Sequence, residues 1–343
     1  MPNPKTLTQF PPPAWTQPGW LDEVKEWIQA ALAHAGLALT WPIERVQERP
    51  WSIILRVPSA AAGFYFKACA PVSIHEAGIT AALYRWQPDY IPAVLDADPQ
   101  KGWLLMADGG QTLRHAFRRS GSPTAPTVDS WREILLRYAA LQIDLAPHVN
   151  QLLQLGAPDQ RLAIFPDRYQ DLLAEPEYLL IDQPDGLTTA EYERLLAAAP
   201  QVTALCQELG AYNAPMSLHH NDLHDANIFF ADSRPLFFDW GDSAIAHPFF
   251  SLRTLFVSIE YSFALDEADP IFAELAEAYL QPWAVVETKT NLTAAFALAR
   301  RLWALSTALK YKRQLRQLPA MRAEYALAVP RSLQEFLTMN PEL

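Results

Sequence analysis

The sequence predicts an α+β fold of two lobes, a small N-terminal lobe of sheet plus helix and a larger, mostly helical C-terminal lobe. Runs of β-branched and aromatic residues, which favour strands, occur before residue 107, and apolar residues at helical spacing dominate after it. Between these regions, Asp108-Gly109-Gly110 forms a flexible joint that we interpret as the lobe boundary. The predicted divisions are a proline-rich arm at 1–19, an N-terminal lobe at 20–107 and a C-terminal lobe at 108–343.

The N-terminal lobe is predicted to combine two helices with four strands. The first helix covers 20–35, where apolar residues recur at helical spacing and Gly36 follows as a stop. The second covers 74–86, with Ser73 as its N-cap and Glu76 completing a capping box. The strands are predicted at 52–57 (SIILRV), 63–68 (GFYFKA), 91–96 and 103–106.

The C-terminal lobe is predicted to be helical at 131–145, 192–211, 249–265, 271–280, 292–318 and 321–337. Thr188 and Glu191 form a capping box before the second of these helices, and Pro200 is expected to break it. The only extended segments expected here are 228–230 and 236–238, which can pair as a hairpin across residues 231–235. Two lobes of this kind leave a cleft between them, where ligands commonly bind.

The composition excludes several classes of protein. Half of the 343 residues are apolar and 19% are charged, so a buried core is expected and disorder is not. No apolar stretch is long enough to span a membrane, and the first residues lack the apolar core of a signal peptide, so we interpret the protein as cytoplasmic. Cys69 and Cys206 form no CxxC pair and are interpreted as buried fillers. The net charge of −11 disfavours nucleic acid as a partner and is compatible with a cationic small substrate. The sequence predicts no particular oligomeric state.

The segment 217–252 holds the residues with the clearest chemical pattern. His220-x-Asp222 is followed by Asn227, and Asp239 stands at the end of the predicted hairpin. The hairpin would bring Asn227 beside Asp239, and an amide oxygen with a carboxylate suits Mg²⁺, which prefers oxygen ligands. Asp222 lies outside that pair, so it is free to face a substrate hydroxyl and accept its proton. This set supplies the positioning and charge neutralisation that phosphoryl transfer requires.

The stretch HNDLHDANIFF, followed by FFDWGDSAIAHP, resembles the aminoglycoside phosphotransferase and choline kinase-like family, whose hallmark reads roughly H-G-D-L-H-x-x-N and then I-D-W or I-D-F. The resemblance extends loosely over about residues 51–311. It implies a bilobal protein kinase-like fold and an ATP- and Mg²⁺-dependent transfer to the hydroxyl of a small molecule, such as an aminoglycoside, amino alcohol or sugar.

By position, the resemblance also implies roles for individual residues. Asp222 is the expected catalytic base, and Asn227 and Asp239 are the expected Mg²⁺ ligands. Lys67 matches the lysine that holds the α- and β-phosphates, and Glu76 is expected to pair with it. The segment 104–109 matches the hinge that binds adenine through its backbone, with Met106 and Asp108 as the expected contacts.

Three features depart from the family pattern. The expected phosphate-covering loop reads Glu48-Arg49-Pro50-Trp51 and contains no glycine, Ser251 replaces an aspartate that normally braces the catalytic loop, and no lid indicates an aminoglycoside. These departures leave open a degenerate kinase fold that binds a nucleotide or partner without turnover. Asp242 adds a carboxylate that a cationic substrate can contact, and Asp225 is expected in a solvated turn.

A different enzyme class is a second alternative. His220, Asp222 and His247 are the residue types of a 2-His-1-carboxylate iron site in an oxygenase. Such enzymes are dominated by sheet, whereas this half of the chain is predicted to be helical. The iron hypothesis also leaves Lys67 and Asp239 without a role.

Overall fold

The computed structural model describes residues 13–343, apart from 41, 60–61, 119–127, 232–233 and 267. Within these residues, the small lobe contains an antiparallel sheet of five strands in the order β1-β2-β3-β5-β4. The strands are β1 (Glu44–Arg49), β2 (Ser52–Pro58), β3 (Gly63–Cys69), β4 (Val94–Asp98) and β5 (Trp103–Ala107). Two helices accompany the sheet, α1 (Trp20–His34) and α2 (His75–Trp86).

Helix α1 covers one face of the sheet through aromatic packing. Phe66 on β3 is fully buried, and its ring centroid lies 5.8–6.2 Å from those of Trp20, Trp27 and Trp103. Because successive side chains of a strand point to opposite faces, Lys67 extends from the other face of β3, away from this cluster. The alternation in GFYFKA therefore places one lysine on the cleft side of the sheet.

Three features of the small lobe differ from the prediction. Strand β1 was not predicted because its residues, ERVQER, are all exposed and show no alternation; it forms by pairing with β2. Strand β4 begins at Val94 instead of 91. The predicted capping box of Ser73 and Glu76 is wrong, since α2 begins without a side-chain cap and the Glu76 carboxylate bonds to Lys67 instead.

The large lobe is mostly helical, as predicted. Its longer helices are α4 (Val128–Leu145), α6 (Phe165–Leu173), α7 (Thr189–Ala197), α8 (Ala199–Leu209), α9 (Leu252–Phe263), α10 (Pro270–Leu280), α11 (Lys289–Gln317) and α13 (Ala328–Met339). Shorter helices are α3 (Leu113–Arg118), α5 (Val149–Gln154) and α12 (Arg322–Tyr325). Helices α3, α5 and α6 were not predicted, because segments of nine residues or fewer repeat the apolar pattern too few times.

Two of the predicted helices are divided. The predicted helix at 192–211 separates into α7 and α8 at Ala198, next to Pro200, and α7 begins with the predicted capping box of Thr188 and Glu191. The predicted helix at 321–337 consists of α12 and α13. Residues Pro248–Ser251, predicted as the first turn of α9, form a 3₁₀ turn instead.

Two short strand pairs lie among these helices. The predicted hairpin is confirmed as β7 (Ile228–Ala231) paired with β8 (Arg234–Phe237). The expectation that it would be the only extended pair is wrong, because β6 (Ser217–His219) pairs with β9 (Ala244–Ala246). Strands of three residues are too short for a sequence pattern. The loop from 220 to 227 therefore leaves β6 at one end and enters β7 at the other.

The two largest hydrophobic cores of the described residues lie in different parts of the molecule, and the boundary near residue 107 stays a prediction. One core joins α1 to the face of the sheet that carries Phe66, and the other fills the large lobe. Trp15, within the predicted arm, is buried in the first core, whereas residues 1–12 lie outside the described residues. Ile79 and Leu83 of α2 belong to the large-lobe core, so this helix connects the two lobes.

Candidate active site

The cleft between the lobes contains a pocket of about 100 Å³. Its lining includes one lysine and several carboxylates: Lys67, Glu76, Asp222, Asp239 and Asp242. A larger cavity, of about 920 Å³, lies among α9, α10, α11 and α13. Its walls are mainly apolar and its Arg253 is held in an ion pair by Glu335. The smaller pocket is the candidate active site because it collects the reactive side chains, although its volume is lower.

Lys67 joins the small lobe to the hairpin of the large lobe. Its ammonium lies 2.7 Å from Glu76 Oε1 on α2 and 2.6 Å from Asp239 Oδ1 at the end of β8. Burial alone would lower the pKa of Lys67, but the carboxylates of Asp239 and Glu76 outweigh it and hold that pKa well above its usual value. The resemblance implied the pair of Lys67 and Glu76, and the structure brings both residues to Asp239.

The turn Asp239-Trp240-Gly241 has a shape that its residue types favour. Asp239 adopts a left-handed conformation with φ of 66°, which aspartate tolerates better than most residues. A Cβ at Gly241 would lie 2.7 Å from Glu76 Oε2, so a side chain there would displace the Glu76 carboxylate. Trp240 is fully buried against the ring of His220, with centroids 4.6 Å apart. These contacts hold the Asp239 carboxylate, which is 43% exposed, at the cleft.

Asp222 and Asn227 meet at the base of the hairpin. Asn227 Nδ2 donates to the Asp222 carbonyl at 2.9 Å and to Asp222 Oδ2 at 3.1 Å. The Phe238 amide donates to the Asn227 carbonyl, so the hairpin brings the backbone of Asn227 next to that of Asp239, as predicted. Burial alone would raise the pKa of Asp222, but the Lys310 ammonium and the hydrogen bond with His224 outweigh it and hold that pKa well below its usual value. Asp222 is therefore ionised at neutral pH.

The histidines of this loop serve its structure. His220 is buried and its Nε2 donates to the Phe238 carbonyl at 2.9 Å, which ties the loop to the hairpin. His224 Nδ1 accepts from the Ala226 amide, and its Nε2 lies 3.4 Å from Asp222 Oδ2. Among the described residues, no three His, Cys, Asp or Glu side chains are grouped to hold a metal, so His220, Asp222 and His247 do not form the iron site of the second alternative.

Asp225 is buried and Asp242 is partly buried. Asp225 is 2% exposed and pairs with Arg114, whose Nη2 lies 2.6 Å from Asp225 Oδ1, so its prediction as a solvated turn residue is wrong. Burial raises the pKa of Asp242, which Lys310 opposes. Gln314 Nε2 on α11 donates to Asp242 Oδ1 at 2.5 Å.

The predicted hinge follows β5. Met106 is buried on that strand, whereas the Asp108 amide already donates to the Gly63 carbonyl at 2.9 Å. A ligand at Asp108 would therefore meet its carbonyl rather than its amide. Gly109 packs so closely on Phe229 that a Cβ would lie 2.2 Å from the ring. Phe229 in turn stacks on Phe238, with centroids 4.0 Å apart, so an apolar surface lies between the hinge and Asp239.

The expected phosphate-covering loop is a tight turn. Arg49 pairs with Ser52, which leaves only Pro50 and Trp51 between β1 and β2. Trp51 lies edge-on against Tyr325, with centroids 6.0 Å apart, and Tyr325 stacks on Tyr311. The turn therefore rests on the C-terminal helices. The sequence did not indicate that Trp51, Tyr311 and Tyr325 pack together, because these residues lie in three separate elements.

Ser251 lies at the centre of a buried hydrogen-bond network. Its hydroxyl accepts from Tyr138 Oη and Gln142 Nε2, both at 3.1 Å, and lies 2.8 Å from His219 Nδ1. The His220 amide donates to Tyr138 Oη, and burial lowers the pKa of His219 to about 3, so this ring is neutral. A neutral serine thus braces the catalytic loop where the family has an aspartate.

We expect Ser251→Ala to lower the free energy of unfolding by about 1–3 kcal/mol, because Tyr138, Gln142 and His219 would each lose one buried hydrogen-bond partner. Urea unfolding at neutral pH measures the change. Ser332→Ala is the matched control, since Ser332 is 3% exposed and its hydroxyl donates only to Ala328 of its own helix. Equal losses in the two variants would contradict a bracing role for Ser251.

The lobes, the cleft and the Lys67–Glu76–Asp239 cluster define a phosphotransferase of the protein kinase-like fold. The family model of the APH phosphotransferase enzyme family matches residues 59–288, and the chain belongs to that family. A comparison with curated proteins found no significant sequence match. Among the described residues, no helix is long and apolar enough to cross a membrane.

Solved structures share this fold over nearly the whole chain. A choline/ethanolamine kinase family protein from Mesorhizobium loti has 17% identity and a TM-score of 0.57, and the match covers 92% of this chain and 94% of that one. A macrolide 2′-phosphotransferase type I has 15% identity and a TM-score of 0.54, covering 90% and 96%. A choline kinase from Streptococcus pneumoniae has 12% identity and a TM-score of 0.55, covering 92% and 99%. At these identities the likeness shows the fold alone.

Proposed function

We propose that this protein transfers the γ-phosphoryl group of ATP, with Mg²⁺, to the hydroxyl of a small molecule in the cytoplasm. The observation that carries the proposal is the convergence of two pairs of residues in one cleft. Lys67 and Asp239 lie in direct contact, and Asp222 and Asn227 are hydrogen-bonded beside them. Phosphoryl transfer needs a cation that binds phosphate, ligands for the metal and a group that accepts the proton of the substrate hydroxyl. These residue types supply all three.

The nucleotide is proposed to lie under the sheet of the small lobe. Its adenine would lie near Met106 and the carbonyl of Asp108, on the apolar surface formed by Phe229. Its phosphates would reach Lys67, whose charge Glu76 keeps in place. The pocket of about 100 Å³ is smaller than sites that enclose a small molecule, commonly ~300–1,000 Å³. Met106 and Asp108 do not line this pocket, so its volume describes only the phosphate end of the proposed site, where Lys67 contacts Asp239. We expect the lobes to separate and this contact to lengthen when the phosphates bind.

The residues at the hairpin fit a magnesium ion. Asn227 uses its Nδ2 group as a donor to Asp222, and its Oδ1 accepts no hydrogen bond from the described residues. Asp239 receives Lys67 on Oδ1 only, which leaves Oδ2 for a ligand. An amide oxygen and a carboxylate oxygen suit Mg²⁺, with phosphate oxygens in the remaining positions. When bound, Mg²⁺ would neutralise charge on the β- and γ-phosphates.

Asp222 is proposed to receive the acceptor's proton. The acceptor oxygen would form the new bond to the γ-phosphorus while the bond from that phosphorus to the bridging oxygen breaks, and ADP leaves. The hydroxyl proton passes to the Asp222 carboxylate. Because the pKa of Asp222 is held low, the carboxylate mainly orients the hydroxyl and takes the proton late, as a loose transition state allows.

The acceptor class is proposed to be a hydroxyl compound that carries positive charge. Asp222 and Asp242 line the pocket, and the whole chain has a net charge of −11. Structures of similar fold include a choline/ethanolamine kinase family protein and a macrolide 2′-phosphotransferase. The fold is therefore compatible with acceptors of different kinds, and the carboxylates of the pocket favour cationic ones.

A nucleotide-binding protein without turnover is the second candidate, and the glycine-free turn at Pro50 and Trp51 favours it. A screen of ATP consumption with Mg²⁺ across amino alcohols, aminoglycosides and sugars tests the proposal, with the Asp222→Asn variant as the blank. We expect at least one class to raise ADP release above that blank. If ATP binds but no acceptor is phosphorylated, the binding function replaces the proposed one.

A further inference from the structure

One buried lysine touches the catalytic loop from outside the region that the family model matches. Lys310 lies on α11, beyond residue 288, and is 3% exposed. Its Nζ donates to the Asn221 carbonyl at 3.0 Å and lies 3.2 Å from Asp242 Oδ2 and 3.6 Å from Asp222 Oδ1. The three protons of the ammonium therefore face three oxygens, and two of these belong to adjacent residues of the loop.

Lys310 binds the backbone at a bend of the loop as well as contacting two carboxylates. Asn221 has a φ of 62°, a left-handed conformation that turns the chain between His220 and Asp222. The ammonium of Lys310 binds the carbonyl at this bend, so the residue fixes the direction in which the Asp222 side chain leaves the loop. Gln314, one helical turn further along α11, holds the other oxygen of Asp242.

The two oxygens of Asp222 have different surroundings. Oδ2 is held by Asn227 Nδ2 and lies near His224 Nε2. Oδ1 faces Lys310 at 3.6 Å, beyond direct hydrogen-bond length, so this oxygen has room for a substrate hydroxyl. His224 Nδ1 accepts a hydrogen bond from the Ala226 amide, so Nε2 is the ring nitrogen that faces Asp222 Oδ2. Among the described residues, Lys310 is the one lysine or arginine within 4 Å of the Asp222 carboxylate.

Burial of this lysine is costly, because removing an ammonium from water costs several kcal/mol that its contacts must offset. Replacing Lys310 alone would also leave the carboxylates of Asp222 and Asp242 without this partner. Lys312, two residues along the same helix, is buried at the edge of the lobe, where it pairs with Glu175 and the Asp171 carbonyl. Lys310 instead faces the carboxylates of the cleft. Charged groups whose pKa is perturbed and which lie in a cleft are common at functional sites.

We propose that Lys310 is a positioning residue for phosphoryl transfer, aiming the Asp222 carboxylate and offsetting the charge that Asp222 and Asp242 share. This inference rests on the proposed function. It extends the catalytic machinery to α11, so the helix would have to keep its place on the loop when the lobes separate. Loss of the lysine should impair transfer to the acceptor more than the binding of ATP.

The test compares Lys310→Met with Lys312→Met, which removes another buried lysine on the same helix. For Lys310→Met we expect kcat to fall by at least ~10², the scale of losing a preorganised donor, while the Kd for MgATP stays near that of the wild type. The ratio of acceptor phosphorylation to ATP hydrolysis should also fall. Lys312→Met should lose stability without changing that ratio. Lys310→Ala should regain part of its kcat when methylammonium is added.

Four outcomes would count against the inference. Normal kcat in a folded Lys310→Met enzyme overturns it, as does an unchanged ratio of transfer to hydrolysis. If Lys310→Met does not fold, Lys310→Gln, which still donates to the Asn221 carbonyl without charge, replaces it, and normal turnover in that variant counts against the proposal. A wild-type enzyme that transfers no phosphate refutes the proposed function, and this inference with it.

Discussion

Asp222→Asn is expected to lower kcat by at least ~10² while ATP binding stays near normal, because the amide cannot accept the acceptor's proton. The structure adds a second reason. Both oxygens of Asp222 face donors, with Asn227 at Oδ2 and Lys310 at Oδ1. An amide at this position must turn its NH₂ group toward one of them, so the hydroxyl would meet a misdirected side chain. Steady-state kinetics with the acceptor found in the screen, and calorimetry with ATP, measure the two quantities.

The matched control is Asp225→Asn, the same change three residues further along the loop. Asp225 points away from the pocket to Arg114 and Ser258, so this variant should lose stability and far less kcat. Comparable losses of kcat in both variants would mean that loop integrity, not a base, is being measured. Near-normal turnover in a folded Asp222→Asn enzyme would contradict the assignment of the base.

Asp239→Ala is expected to abolish the dependence of ATP binding on Mg²⁺. In the wild type, Mg²⁺ should tighten ATP binding, because the Asp239 carboxylate and the Asn227 amide oxygen can hold the ion against the phosphates. Without the carboxylate, only one of the two protein ligands remains. Calorimetric titration of ATP with Mg²⁺ and with EDTA should therefore give the same Kd for the variant, whereas the wild type should show two clearly different values.

A control is needed because Asp239 has a left-handed backbone, which alanine adopts at a cost of about 1–2 kcal/mol. Asp185→Ala provides it, since Asp185 has a φ of 59°, is exposed and is absent from the lining of the cleft. That variant should show the cost of strain in urea unfolding and keep the Mg²⁺ dependence. Retained Mg²⁺ dependence in Asp239→Ala would remove Asp239 from the metal site.

Two of the departures from the family pattern, Ser251 and the glycine-free turn, are accompanied by specific contacts in the fold. Ser251 lacks the charge of the usual aspartate, yet its hydroxyl joins Tyr138 and Gln142 to a neutral His219, so the loop remains braced. The glycine-free turn at Trp51 rests on Tyr325. In this protein, the outer side of the phosphate region is therefore formed together with the C-terminal helices.

Much of the fold and the core of the site follow from sequence, because the relevant contacts are local or periodic. The hairpin was predicted from two apolar runs, and its pairing alone brings Asn227 near Asp239. The resemblance identified Lys67, and the alternation of side chains along β3 places it on the face opposite Phe66. Glu76 shows the limit of local reasoning, since the capping-box pattern suggested a partner in its own helix and the residue pairs with Lys67 instead.

The sequence by itself determined the two lobes, the strand that carries Lys67 and the loop and hairpin from His220 to Asp239, because neighbours along the chain position these residues. Only the tertiary structure decided that Lys310, Gln314 and Ser251 complete the surroundings of Asp222 and Asp242. Helix α11 packs against α6, α8 and α13 and buries side chains around much of its circumference. Its apolar periodicity therefore could not show which buried polar residue faces the cleft.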